Sequence, residues 1–110
     1  AKQIASGKNF ESTGGFGPWM VTADEIAPNR QLKLEVRLNG EVVQAANTSL
    51  MVRGVAELVA YVSSFTTLLP GDVILTGTPA GVGPMQPGDR VGVTIAGIGT
   101  LTNVVVAEDA

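Results

Sequence analysis

At 110 residues, 45% of them hydrophobic, the chain fits one small domain or a piece of a larger one and can fill a real core. A net charge of -3 with only 7 basic residues leaves no electrostatic footprint for nucleic acid or an anionic membrane, and no apolar run approaches the roughly 20 residues of a membrane span. Without cysteine or histidine, this chain alone builds no disulfide, thiolate nucleophile, zinc knuckle, Ser-His-Asp triad or His-ligated metal site; no targeting signal is visible, and the expected location is cytoplasmic.

Residues 1 to 18 form an aperiodic, glycine-rich loop whose phenylalanines, Phe10 and Phe16, are expected to pack it down. Lys8 lies in this loop between Gly7 and Asn9, where its ammonium can pair with an acid or meet a developing oxyanion, or simply be solvated. Ser12 and Thr13 add hydroxyls. Trp19-Met20-Val21-Thr22 reads as a short strand, closed by Ala23-Asp24-Glu25-Ile26 and Pro28-Asn29. Asp24 and Glu25 are adjacent, so on an extended chain they point to opposite faces; they read as turn or capping acids, not as a catalytic pair.

Leu32, Leu34, Val36 and Leu38 alternate with Lys33, Glu35, Arg37 and Asn39, the period of a strand with one wet face. Asn39-Gly40 is a strong hairpin turn, and Glu41 to Ala45 returns as the partner strand. A helix follows. Val55, Leu58, Val59, Val62 and Phe65 share one side of a 3.6-residue period, with Gly54 as its cap and Glu57 in its first turn, and it is expected to lie across the sheet. Arg53, just before it, has no assigned role.

A Pro70-Gly71 turn then leads into Asp72 to Gly83, read as a buried strand from Val73 to Thr76 that empties into a glycine-rich loop needing unusual backbone angles at Gly77, Gly81 and Gly83. Gly77 carries no Cβ to keep a ligand off the backbone, so the Thr78 amide and hydroxyl can bind an anionic group together; the alternative is an ordinary strand exit whose glycines only relieve strain. No Gly-Lys-Ser/Thr follows, which excludes a phosphate-binding P-loop, and the spacing does not match the dinucleotide fingerprint. Pro87-Gly88-Asp89 repeats the Pro70-Gly71-Asp72 device, Val91, Val93 and Ile95 alternate as a strand, Gly97-Ile98-Gly99 turns, and Thr100 to Val106 runs back.

Taken in order, Gly7-Lys8-Asn9-Phe10, Gly17-Pro18-Trp19, Val21 to Ile26, Asn39-Gly40, Asn47-Thr48-Ser49, Pro70-Gly71-Asp72 and Thr76 to Gly83 resemble the fumarylacetoacetate hydrolase family over nearly the whole chain. The resemblance implies an α+β, mainly β fold: a mixed β-sandwich roll with one amphipathic helix packed on the sheet, residues 1-110 forming the C-terminal portion of the catalytic domain. It also implies a homodimer, a divalent cation (magnesium, manganese or calcium), and a short 2-oxo or 1,3-diketo acid substrate. Members hydrolyse or decarboxylate carbon-carbon bonds, or isomerise and hydrate related dienoates. Lys8 matches the lysine that stabilises the enolate-like intermediate. Ser12 matches a hydroxyl residue near the metal that is Thr in some members. Thr78, beside Gly77, matches the threonine that holds the substrate carboxylate.

In such an enzyme the cation favours the departing enolate, Lys8 adds a second positive charge, and Thr78 keeps the breaking bond aligned. The family holds its metal with a Glu-x-Glu pair and a later Asp, all before the Gly-Lys-x-Phe motif, and this sequence contains no Glu-x-Glu. The expectation is therefore a chain that works with the remaining N-terminal part of the same enzyme and is inactive alone. A noncatalytic β-rich binding or assembly domain that keeps the scaffold is the competing reading.

Overall fold

The computed structural model describes residues 14–26 and 30–107. Four strands form one sheet: β1 (Lys33–Leu38), β2 (Glu41–Asn47), β3 (Arg90–Ile95) and β4 (Gly99–Val104), in the order β2-β1-β3-β4. Every pairing among them is antiparallel. One helix, α1 (Val55–Ser63), sits in the crossover between β2 and β3. The mainly β class, with a single α-helix among the described residues, is as the sequence implied.

The two faces of the sheet follow from alternation. Leu34, Val36 and Leu38 stand opposite Ile95, Val93 and Val91, and Val93 in turn opposes Leu101, so one half-buried face is apolar across three strands. On the other face Glu35 lies between Lys33 and Arg37, 3.2 Å from each, and Thr94 and Thr100 share a hydroxyl hydrogen bond of 2.8 Å. Both cations hold the Glu35 carboxyl below its usual range, chiefly through hydrogen bonds from Lys33 and then Arg37.

Asn39 and Gly40 make the β1–β2 turn with φ of 52° and 84°, both positive as a two-residue hairpin of this hand requires. Asn39 does more than turn. Its backbone N–H donates to the Arg90 carbonyl (2.8 Å), its side-chain oxygen accepts from the Arg90 N–H (2.9 Å), and its amide nitrogen donates to Asp89 (3.0 Å). The hairpin tip is thereby tied to the start of β3.

The twin Pro-Gly-Asp turns are the same object built twice. The Asp72 N–H donates to the Leu69 carbonyl (3.0 Å) while the Asp72 carboxylate accepts from the Leu69 N–H (2.8 Å). Asp89 makes the matching pair with Gln86, at 3.0 and 2.8 Å. Each aspartate closes its turn from both sides, with proline at the second position and glycine at the third.

Four expectations need correction. Trp19 to Thr22 is not a strand; Trp19 is held through its side chain, the indole N–H donating to the Ile98 carbonyl at 2.6 Å, and Thr22 begins a 3-10 turn over Ala23–Glu25 in which its hydroxyl donates to Asp24. Phe16 does not pin its loop, being 75% exposed. Val73 to Thr76 finds no ladder partner among the described residues, and Leu75 is 89% exposed, so the segment is neither a strand nor buried. Finally, α1 does not lie across the sheet. Its apolar residues run round it, with Val55 65% exposed and Leu58 and Val62 half-buried, and Phe65, expected on the same helix, lies beyond its end at Ser63. A helix apolar on several sides needs cover on several sides, and a four-stranded sheet supplies one. The Pro28-Asn29 turn lies outside the described residues.

Among the described residues no side chain is fully buried. The apolar sheet face and the apolar sides of the helix are each only partly covered among the described residues.

Asp89 carries a lowered carboxyl pKa, set first by the Gln86 N–H and then by the Asn39 amide. A carboxylate with a depressed folded pKa stabilises the fold above the ordinary carboxylate range and loses that contribution as pH falls through the lowered value. We predict that Asp89→Asn lowers the unfolding midpoint of the full-length protein in guanidinium by the same amount at pH 6 and pH 8. The gap to wild type begins to narrow as pH drops below about 4, the usual range of an unperturbed aspartate, and disappears as pH falls through the lowered native value. A gap that persists unchanged at pH 3 contradicts this account.

Candidate functional site

The site is assembled where the loop after the first Pro-Gly-Asp turn comes down on β2. Pairing in the hairpin is regular from Leu38↔Glu41 to Arg37↔Val42 and then skips, so that Val36 faces Gln44 and Val43 is the extra residue of a β-bulge. The loop packs against that bulge at Gly81. A Cβ on Gly81 would meet the Val43 carbonyl oxygen at 2.1 Å, and its φ of 110° lies in the region side chains rarely adopt, so only glycine fits. Gly77 is also left-handed, and Gly83 is not, which corrects the expectation of three unusual glycines.

The bulge decides what Gln44 does. Opposite Val36, it belongs to the apolar face, where its neighbours offer no hydrogen bond. Its Nε2 donates to the Thr78 hydroxyl oxygen at 3.0 Å and to the Pro79 carbonyl at 2.7 Å. The lower end of β2 is fixed separately: the Thr48 N–H donates to the Leu32 carbonyl (2.9 Å), the Leu32 N–H donates to the Thr48 hydroxyl (2.8 Å), and Asn47 caps the short 3-10 turn Thr48–Leu50 through the Ser49 N–H (2.9 Å). The Asn47-Thr48-Ser49 motif is therefore a clamp on the strand leading to the site.

Between this clamp, the helix and the loop lies an open cavity of about 630 Å³. Leu34, Ala46, Met51 and Leu58 form its apolar wall, and Thr76 to Ala80 form its polar rim. Gly77 and Thr78, both singled out from the sequence, border this cavity. Nothing lies within 4 Å of where a Gly77 Cβ would be, so the backbone there is open to a ligand. Lys8 and Ser12 lie outside the described residues. The spatial relation between Lys8 and Thr78 is therefore not part of the described geometry.

Two residues that border or support the cavity carried no functional reading in the sequence. Arg53 is the one charged side chain lining it among the described residues, and its guanidinium sits 5.1 Å above the Tyr61 ring, which holds a cation beside the rim without neutralising it. The other is Gln44. The signal for Arg53 was its place just before the helix cap; the signal for Gln44 was a polar residue in an apolar return strand, hidden by the bulge.

The described residues do not themselves suit a divalent cation. Among them, no three Asp, Glu, His or Cys side chains gather into a possible ligand cluster, and the two acids of Ala23–Glu25 sit in a turn of their own. No step is derived through a metal on these residues.

Comparison with known proteins places the chain. Residues 1–106 match the family described as fumarylacetoacetate (FAA) hydrolase C-terminal. Maleylpyruvate hydrolase of Aquipseudomonas alcaligenes is 56% identical over 95 residues, covering 86% of this chain and 33% of that protein. The mitochondrial oxaloacetate tautomerase of Rattus norvegicus is 45% identical over 112 residues, covering 96% of this chain and 36% of that protein. Among solved structures, maleylpyruvate hydrolase from Sphingobium sp. SYK-6, in complex with manganese(II) and pyruvate, superposes with a TM-score of 0.79 at 40% identity, over 82% of this chain and 34% of that one. The chain spans about a third of the length of these relatives.

The contact between Gly81 and the bulge gives a sharp test. Gly81→Ala should destabilise the full-length protein by about 1–3 kcal/mol, the usual cost of a strained backbone, and make the 76–83 loop more susceptible to limited proteolysis. Gly83→Ala, with nothing within 4 Å and no left-handed backbone, should stay within about 0.5 kcal/mol of wild type in chemical unfolding. Equal effects at the two positions would refute the packing of the loop on β2.

Proposed function

This chain belongs to the fumarylacetoacetate hydrolase family, and from that premise we propose that it supplies the carboxylate-binding side of a metal-dependent enzyme acting on a short 2-oxo or 1,3-diketo acid. The carrying observation is that Gly77 and Thr78 open onto a cavity whose wall is apolar and whose one lining charge, among the described residues, is a cation. A small keto acid has that pattern in reverse, with an anionic end and a short hydrocarbon body.

Thr78 donates its hydroxyl proton to the substrate carboxylate, and the Gly77 backbone lets that carboxylate come close. Leu34, Ala46, Met51 and Leu58 exclude water from one side of the carbon skeleton. Arg53 attracts the anion and disfavours a neutral analogue. Lys8 meets the developing enolate oxygen. The reaction is hydrolysis, keto–enol exchange or decarboxylation of such an acid, the class to which the similar maleylpyruvate hydrolase and oxaloacetate tautomerase belong by name. The divalent cation is manganese or magnesium, with calcium a third choice, held by carboxylates from a part of the enzyme that the relatives possess beyond the span matched here. The complex of a 40% identical hydrolase with manganese and pyruvate supports both the ion and the ligand class. The working form is a homodimer.

Two measurements test this reading on the full-length protein. Calorimetry with manganese present should show saturable pyruvate binding, weakened about tenfold or more by Thr78→Val, since a hydrogen bond to a charged group contributes about 1.5–3 kcal/mol. Lys8→Ala should lower turnover of the protein's own substrate by about 100-fold, as expected on removing one donor to an oxyanion. No pyruvate binding at millimolar concentration, or unchanged turnover without Lys8, would count against the respective roles.

A further inference from the structure

We propose that Gln44 is a positioning residue: by donating to one lone pair of the Thr78 hydroxyl it turns the hydroxyl proton away from itself and leaves that proton for the ligand. The inference rests on the role given to Thr78 above and adds the residue that sets its polarity.

The argument begins with which end of the Gln44 amide faces the loop. A peptide carbonyl can only accept, and the Pro79 carbonyl lies 2.7 Å from the atom assigned as Nε2, so that end must be the NH2 group. The same nitrogen has a second hydrogen, and Thr78 Oγ1 lies 3.0 Å away. A hydroxyl that accepts from an amide retains its own proton for another partner. Among the described residues Thr78 Oγ1 has no other hydrogen bond, so that proton is free for a ligand. An anionic oxygen suits that proton, and one lone pair is all the accepting capacity the hydroxyl has left.

Gln44 can do this because it has no competing duties. It stands opposite Val36 on the apolar face, half-buried, and the loop is the partner its NH2 group finds. The bulge at Val43 brings it there, and the Gly81 contact with the Val43 carbonyl brings the loop to it. Both halves of the contact come from one irregularity in β2.

A double-mutant cycle on the full-length protein, loaded with manganese and titrated with pyruvate by calorimetry, tests the inference. Gln44→Met keeps the length and suits an apolar face, but leaves the hydroxyl free to rotate; pyruvate affinity should fall about 3- to 10-fold. Gln44→Glu presents an acceptor, which takes the Thr78 proton and turns lone pairs toward the ligand; affinity should fall about 30-fold or more. In a Thr78→Val background the neutral Gln44→Met should not weaken binding further, because no hydroxyl is left to orient, whereas Gln44→Glu keeps only the loss due to its new charge. That last result separates positioning from a general role in folding, which would cost affinity with or without the hydroxyl. If Gln44→Glu does not fold, the cycle with Gln44→Met decides the matter. Equal losses in the two backgrounds, or no loss at Gln44 while Thr78→Val weakens binding, would overturn the proposal and leave the carboxylate site standing. A Thr78→Val protein that binds pyruvate as wild type does would remove the site itself and the proposal with it.

Discussion

One amide holds the candidate site to the scaffold. The two hydrogen bonds from Gln44 Nε2, to Thr78 and to Pro79, join a regular sheet to an irregular loop across more than thirty residues of sequence. A loop rich in glycine is entropically costly to order, and the segment that delivers it has no ladder of its own. Its shape is imposed from outside, by the Asp72 turn at one end, by the Gly81 contact with the bulge at the other, and by Gln44 between them. Each of these is short-range and directional, so the loop can be well placed without being deeply buried.

The cavity itself shows how little polar chemistry such a site needs. An apolar wall drawn from β1, β2 and α1 meets a rim of backbone and threonine hydroxyls, Thr76 and Thr78 among them, with Arg53 parked over Tyr61. The ring face attracts the guanidinium without neutralising its charge. The tyrosine is itself edge-on to Phe65, with ring centroids 5.3 Å apart, so the helix carries a small aromatic support for a single cation.

Regular pattern was legible in the sequence, and irregular pattern was not. Alternation identified β1, β3 and the wet face of the sheet, Asn39-Gly40 identified the hairpin, and Gly54 with Glu57 marked the start of the helix at Val55. The family resemblance came from turns and loops, and Gly77 and Thr78 do face the cavity. What failed was anything that depended on a partner. Val73 to Leu75 has the composition of a buried strand, yet a strand requires a neighbour to complete its ladder, and composition says nothing of neighbours. The helix seemed to have one apolar stripe because five positions were counted; Ala56, Ala60 and Tyr61 widen it until one sheet cannot cover it. Gln44 escaped notice because a simple count back from the turn puts Val43 on the apolar face and Gln44 on the wet one.

That miscount describes a real competitor. In a β2 paired without its bulge, Val43 would oppose Val36 and Gln44 would oppose Glu35, and by hydrophobicity alone this is the better arrangement. The observed pairing is the one the hydrophobic code disfavours, kept by the clamp at Thr48 below and by the loop's grip on Gln44 above. Slippage by one position would preserve the hairpin, its hydrophobic layer and nearly all its ladder, yet swing the amide into water and unmoor the threonine. Forming the hairpin and placing Thr78 are thus two separate outcomes for this strand, divided by a single step of the chain.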